Sequence, residues 1–170
     1  GLRTNVPAGV ELIEGSVADA DTAARAVEGC DVVLHQAAIP SVPRSVAHPV
    51  ETNRANVDGT VSILAAAKAA GVRRVVFAGS SSVYGNAATL PKREYMRPHP
   101  LTPYALQKQV GEDYCRMFTA LYGLETVTTR YFNAKAHKIM ARKSGIPGQH
   151  AHGRVGKPSL YLTQLREKQK

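Results

Sequence analysis

Apolar and polar positions alternate in short blocks along this chain, and the period of the blocks switches repeatedly between strand-like and helix-like. Val10-Glu11-Leu12-Ile13-Glu14 alternates and stops at Gly15, which predicts a strand. Asp19 and Asp21 then offer N-caps for a helix to about Glu28, closed by Gly29. Asp31-Val32-Val33-Leu34-His35 reads as a short apolar strand running into Gln36-Ala37-Ala38-Ile39-Pro40, where small residues let a flat ligand lie against the backbone. After a loop with Pro40, Pro43 and Pro49, apolar residues at Val57, Val61 and Leu64 mark a helix that ends at Gly71. Arg73 and Arg74 precede a strand over Val75 to Ala78. A long polar connection with Pro91, Pro98 and Pro100 leads to a helix headed by Pro103 and Tyr104 and stopped by Gly123. Its expected buried stripe is Leu106, Val110, Tyr114, Met117, Phe118 and Leu121, and residues 125–132 form a last strand. Strands alternating with helices at this spacing predict an α/β fold, a parallel sheet with flanking helices that binds ligands at the carboxyl ends of its strands.

The 170 residues suit one domain with a real core. No apolar run approaches the length of a membrane span, because Lys68 interrupts the best candidate, Val61 to Val72, and no signal-peptide pattern opens the chain. The expectation is a soluble, cytoplasmic protein without a membrane partner. Cys30 and Cys115 lie far apart and lack metal-ligand spacing, so they read as two buried or half-buried thiols in a reducing compartment. A net charge of +9 suggests nucleic acid until it is located. Residues 1–133 carry 13 Lys+Arg against 12 Asp+Glu, whereas residues 134–170 carry 9 against 1. The basicity therefore belongs to the tail, and the chain divides into a domain over 1–133 and a basic tail over 134–170. Within that tail only 159–170 looks helical, with Ser159 as its N-cap.

The candidate chemistry lies in Tyr104-Ala105-Leu106-Gln107-Lys108. A tyrosine and a lysine four apart share one helix face, and an ammonium beside a phenol favours the phenolate. A hydroxyl from Ser80, Ser81 or Ser82, at the end of the preceding strand, completes a proton relay beside a hydride acceptor. The spacing alone is weak, since Tyr131-Phe132-Asn133-Ala134-Lys135 matches it too. Context separates them: only Tyr104 follows a strand that ends in serines and sits behind a helix-starting proline. His35, at a strand end, reads as a satisfied core histidine, Asn56 as a structural tie between loops, and Asp19 as a helix cap.

Six segments in order carry a resemblance: Glu14-Gly15-Ser16-Val17, His35-Gln36-Ala37-Ala38, Asn56-Val57-Asp58-Gly59-Thr60, Ser80-Ser81-Ser82-Val83-Tyr84-Gly85, Tyr104-x-x-x-Lys108 and Arg130-Tyr131-Phe132-Asn133. Residues 10–133 resemble the middle of an extended short-chain dehydrogenase/reductase of the NAD-dependent nucleotide-sugar epimerase/dehydratase group. The run from His35 to Ser45 looks most like the UDP-N-acetylglucosamine 4-epimerase branch. The resemblance implies a Rossmann-like sheet and NAD as cofactor. It implies that Tyr104 takes the proton from the sugar 4-hydroxyl as hydride leaves C4, and that Lys108 lowers the tyrosine pKa and binds the nicotinamide ribose. Ser80 would hydrogen-bond the reacting oxygen, with Ser81 and Ser82 on the sugar. Ser16, Val17, Gln36, Ala37, Ala38 and Ile39 would lie along the cofactor, and Ser41 and Asn133 would touch a UDP-sugar. The helices near 55–70 and 104–122 are those that pair in homodimers of the resembled family.

The departures are specific. Ser16 stands where the family usually has an acidic residue for the adenine amino group. No Gly-x-x-Gly-x-x-Gly turn precedes residue 10, and with it the family's first two strands are missing from between 10–14 and 32–35. The expected fold is thus an incomplete Rossmann-like parallel sheet lacking its first two strands, and the expected activity that of a truncated fragment without turnover. In the tail, Pro147-Gly148-Gln149-His150, Gly153-Arg154, Gly156-Lys157-Pro158-Ser159-x-Tyr161 and Gln164-Leu165-Arg166-Glu167-Lys168-Gln169-Lys170 resemble an N-terminal part of the fourth bacterial small-subunit ribosomal protein. That resemblance implies RNA contact through phosphate neutralisation. An RNA-binding module and a non-catalytic interaction protein are the two alternatives to an epimerase.

Overall fold

The computed structural model describes residues 6–7, 9–132 and, as backbone, 162–163. In order these form β1 (Leu12–Ile13), α1 (Ala20–Val27), β2 (Val32–His35), α2 (Val42–Ala47), α3 (Pro49–Asn53), a π turn (Arg54–Asp58), α4 (Gly59–Ala69), β3 (Arg74–Ser80), a 3-10 turn (Ser81–Tyr84), α5 (Pro103–Tyr122), β4 (Glu125–Tyr131) and β5 (Leu162–Thr163). Local chemistry sets most of the boundaries. Asp19 caps α1 by accepting from Thr22 N at 2.8 Å, and Thr102 caps α5 by accepting from Ala105 N at 3.2 Å, with Pro103 next in the chain. Gly123 ends α5 at φ 71°, a left-handed position that glycine takes without strain.

β2, β3 and β4 form a parallel sheet in which β3 is central: Val33 pairs with Val75 and Val75 with Thr126, and Ser80 lies opposite Tyr131. Residues in register share a face, so Val33, His35, Val75 and Phe77 turn together into the core with Ile63, Leu64, Val17, Val27 and Cys115. Leu34 and Val127 point to the other face and are exposed, Leu34 by 52%. Gly111 lets α5 come down on β3, since a Cβ there would sit 2.5 Å from Phe77 Cζ. Cys30 and Cys115 form no disulfide among the described residues, and burial pushes Cys115 up to about 11.

Three expectations change. First, β1 is shorter than the predicted strand and stands outside the parallel sheet. It pairs antiparallel with β5, Leu12 with Thr163 and Ile13 with Leu162, where a helix over 159–170 was expected. An unpaired strand edge satisfies its backbone groups with whatever extended segment reaches it; the remainder of 159–170 lies outside the described residues. Second, the helix around Val57 is a continuous run of α3, π turn and α4, and the π turn carries Asn56 into the interior, 2% exposed. Third, the stripe predicted for α5 is largely on its outer side. Leu106, Met117 and Leu121 are exposed and only Tyr114 and Phe118 pack against the core, while Ala105, Gln107, Lys108, Gly111, Glu112 and Cys115 are buried. Small residues permit close approach to the sheet, and the buried polar ones have specific partners there. No helix among the described residues is long and apolar enough to cross a membrane.

Candidate active site

The carboxyl ends of β2 and β3 and the first turns of α5 meet around Ser80. The hydroxyl of Ser80, last residue of β3, accepts from Ser82 N at 3.2 Å and Ser82 Oγ at 2.8 Å. The Ser80 hydroxyl also acts on the Tyr104 phenol, in the direction that lowers its pKa. Tyr104 is held from its backbone side as well, because its N–H donates to the fully buried Ser45 Oγ at 3.1 Å.

Burial raises the Tyr104 phenol above its ordinary 10.0, and the Ser80 hydrogen bond only partly opposes this. The expectation that Lys108 makes this phenol acidic is therefore not met in this state. Lys108 turns inward: its ammonium donates to Ala78 O at 2.8 Å and lies 4.9 Å from the centre of the Phe77 ring. Burial brings Lys108 down from 10.5 to about 8. An ammonium that has exchanged water for one carbonyl and a ring face holds its proton less firmly than in water, yet stays charged at neutral pH.

Behind these groups runs a buried polar chain. Asn56 Oδ1 accepts from Ile39 N at 2.7 Å, and Asn56 Nδ2 donates to Ile39 O at 3.3 Å and to Gln107 Oε1 at 2.8 Å. Gln107 Nε2 donates to Thr52 Oγ1 at 3.0 Å. His35 Nε2 lies 3.0 Å from Thr60 Oγ1, which itself donates to Asn56 O at 2.6 Å. His35 is pushed down to about 3 by burial and by the Lys108 charge, so it is neutral and packs as a core ring against Phe77, 5.7 Å between centroids. Farther along α5, Glu112 receives Arg130 in a two-armed ion pair, Nε to Oε1 at 3.0 Å and Nη2 to Oε2 at 2.8 Å. Arg130 Nη1 also donates to Glu94 O at 3.1 Å, and its guanidinium lies 4.8 Å from the Tyr84 ring centre.

The structure thus brings Ser80, Ser82, Tyr104 and Lys108 to one sheet end and ties Ile39 to the same helix through Asn56. Ala37 and Ile39 bury their side chains, while Gln36 is exposed and Ala38 half-buried. Ser41 caps α2 by accepting from Arg44 N at 3.2 Å, and Ser81 is half-buried in the 3-10 turn. Ser16 accepts from Ala18 N at 3.3 Å in an exposed turn. The Val17 side chain, expected along the cofactor, is instead fully buried in the core, so only its backbone could face a ligand. Asn133 lies outside the described residues. Gln107, Thr52 and Ser45 carried no signal in the sequence, because what singles them out is a partner far away in the chain.

The profile of the NAD dependent epimerase/dehydratase family matches residues 2–150. The UDP-glucose 4-epimerase of Azospirillum brasilense is 32% identical over 167 residues, 97% of this chain and 44% of that protein. The structure of a UDP-N-acetylglucosamine 4-epimerase from Methanobrevibacter ruminantium M1, in complex with UDP-N-acetylmuramic acid, is 39% identical. Its TM-score is 0.67, and the match covers 70% of this chain and 38% of that one. The Thermus thermophilus UDP-glucose 4-epimerase, a complex with NAD, has a TM-score of 0.74 at 35% identity, covering 77% and 43%. The chain spans about half the length of the curated relatives it matches.

Proposed function

Because this chain belongs to the NAD-dependent epimerase/dehydratase family, we propose that it carries the proton-transfer half of a nucleotide-sugar 4-epimerase acting on a UDP-hexose such as UDP-N-acetylglucosamine. The observation that carries the reading is the placement of Ser80 at the end of the parallel sheet and of Tyr104 at the head of α5, with buried Lys108 one helical turn on. Tyr104 is the base for the sugar 4-hydroxyl, and Ser80 passes that proton while holding the reacting oxygen. Its raised pKa keeps Tyr104 protonated at rest, so a positive charge must come to the phenol before it acts. Lys108 supplies one if it leaves Ala78 O for the phenol side. Ser82 holds Ser80 in place, and the same groups reverse the transfer once the sugar has turned over. No net oxidation results.

NAD fits one end of this site. A phenol, a hydroxyl and an ammonium suit a ribose diol beside a reacting alcohol, and the Gln36–Ile39 loop that would flank it is pinned by Asn56 through both the N–H and the C=O of Ile39. When bound, NAD supplies the hydride acceptor at C4. The pyrophosphate end lacks its holder, since these 170 residues contain no Gly-x-x-Gly-x-x-Gly turn. Among the described residues nothing covers the sheet face at Leu34 and Val127, which supports this reading. We therefore expect no epimerisation of UDP-N-acetylglucosamine by the 170 residues with added NAD. The test is a chimera that completes this chain with the parts of the Thermus thermophilus relative that it does not cover. Turnover that Tyr104→Phe abolishes is the expected result; a chimera that binds NAD yet forms no epimer overturns the reading.

A homodimer through α4 and α5 is part of the proposal, supported by the exposed Leu106, Met117 and Leu121 and by the apolar groove that Val50, Val57, Leu106 and Val110 line. RNA contact through 134–170 is supported by the charge of that stretch and by its resemblance to a ribosomal protein, and salt-insensitive binding or none would end it.

A further inference from the structure

Gln107 stands between Tyr104 and Lys108 on α5, is 4% exposed, and takes no part in the proton transfer just described. Its amide joins two other elements, and backbone partners with unambiguous roles fix how it is turned. Ile39 N–H can only donate, so Asn56 presents Oδ1 to it at 2.7 Å and Nδ2 to Gln107 at 2.8 Å. Gln107 must then present its oxygen to Asn56 and its nitrogen to Thr52 Oγ1, at 3.0 Å. The Thr52 hydroxyl passes its own hydrogen to His48 O or Pro49 O, at 3.2 and 3.1 Å. On the other side Thr60 gives its hydrogen to Asn56 O, so His35 Nε2 is the donor to Thr60 and His35 Nδ1 is left without a partner among the described residues. A directed line of bonds thus starts at β2, passes α4 and the π turn, and ends by gripping α5 against α3.

We propose that Gln107 is a positioning residue: by its bonds to Asn56 and Thr52 it sets the rotation of α5 about its axis, and hence where Tyr104 and Lys108 stand relative to the Ile39 backbone. The inference rests on the reading of Tyr104 and Lys108 given above. Tyr104, Gln107 and Lys108 fall within little more than one helical turn, so a rotation that displaces Gln107 displaces the other two by the same angle. The first turn is also held by Lys108, through Ala78 O on the sheet, and by buried Ala105, and to these Gln107 adds the ties to the π turn and α3. Its outer residue Leu106 is 52% exposed, and the Ser45 bond to Tyr104 N tethers the end of the helix without fixing its rotation. Gly111 and the Glu112–Arg130 pair act farther along. Because one side chain, Asn56, holds both Ile39 and Gln107, the loop at the end of β2 and the tyrosine helix move as one body. A buried amide deprived of these partners is costly, which keeps the arrangement from slipping.

The test is a titration of Tyr104 in the full chain by NMR of its Cζ carbon, assigned by loss of the signal in Tyr104→Phe. In the wild type, burial is expected to hold the Tyr104 phenol above its ordinary 10.0. Gln107→Met keeps the length of the side chain and removes its polar atoms. The expected result is a midpoint that falls toward 10 with far-UV circular dichroism unchanged; a midpoint equal to wild type overturns the proposal. Should Gln107→Met fail to fold, Thr52→Val removes the acceptor of Gln107 Nε2, together with the local bond from Thr52 to His48 O or Pro49 O, and the same two outcomes decide. Neither titration needs cofactor or turnover, so a failure to epimerise would bear on the proposed reaction and leave this inference to its own result.

Discussion

The two sides of α5 invert the usual relation between polarity and burial. The side against the sheet holds an amide, an ammonium and a carboxylate, Gln107, Lys108 and Glu112, each with a named partner. The outer side holds Leu106, Met117 and Leu121, the last 65% exposed. The contrast shows that close approach and available partners, not apolar character, decided which side faces in. Gly111 and Ala105 make room, and Arg130, Ala78 O and Asn56 receive the polar groups. An apolar side left outward is what an association surface requires.

The inner side breaks most severely at the ion pair. Arg130→Ala strands the Glu112 carboxylate beneath α5 and also frees Glu94 O, so a loss of about 3–5 kcal/mol in urea unfolding is expected. A loss below about 1 kcal/mol would show the inner side to be far more tolerant than its geometry implies.

Lys108 sharpens the comparison through pH. Its folded pKa, about 8, is below the 10.5 of the unfolded chain. Between those values the unfolded chain binds the extra proton, so this group's contribution to stability rises with pH across the window and is a constant penalty below it. Lys108→Met should therefore be more stable than wild type at pH 7, by roughly 1–3 kcal/mol, with the difference shrinking toward pH 10.5. Urea midpoints of the two proteins at several pH values measure it, and a pH-independent difference would contradict it.

Gly111→Val tests the close approach, since its Cβ alone would meet the Phe77 ring at 2.5 Å; overpacking should cost about 1–3 kcal/mol in thermal unfolding. The outer side should respond least. Leu121→Glu is expected to change unfolding by no more than about 0.5 kcal/mol at concentrations where the chain is monomeric. The same variant should shift sedimentation toward monomer, and an unchanged dimer would place the association elsewhere.

Much of the scaffold was readable because it depends on neighbours in the chain. The Asp19 cap, the Gly123 stop and the strands at 32–35, 74–80 and 125–131 follow from caps and periodicity. The buried side of α5 was misread because a helical stripe of large apolar residues is ordinarily the inner one. The lysine was placed on the helix correctly and its aim was not, since the competitor for its ammonium, Ala78 O, lies 30 residues earlier.

The sequence by itself determined most of the elements and their order, and that a serine, a tyrosine and a lysine stand at the ends of neighbouring elements, because spacing and capping are local. Only the tertiary structure decided that Tyr104 meets Ser80 while Lys108 turns to a strand carbonyl, and that Gln107 binds an asparagine 51 residues away. Those outcomes depend on which donors and acceptors folding brings together out of reach of water, and no periodicity along the chain encodes that meeting.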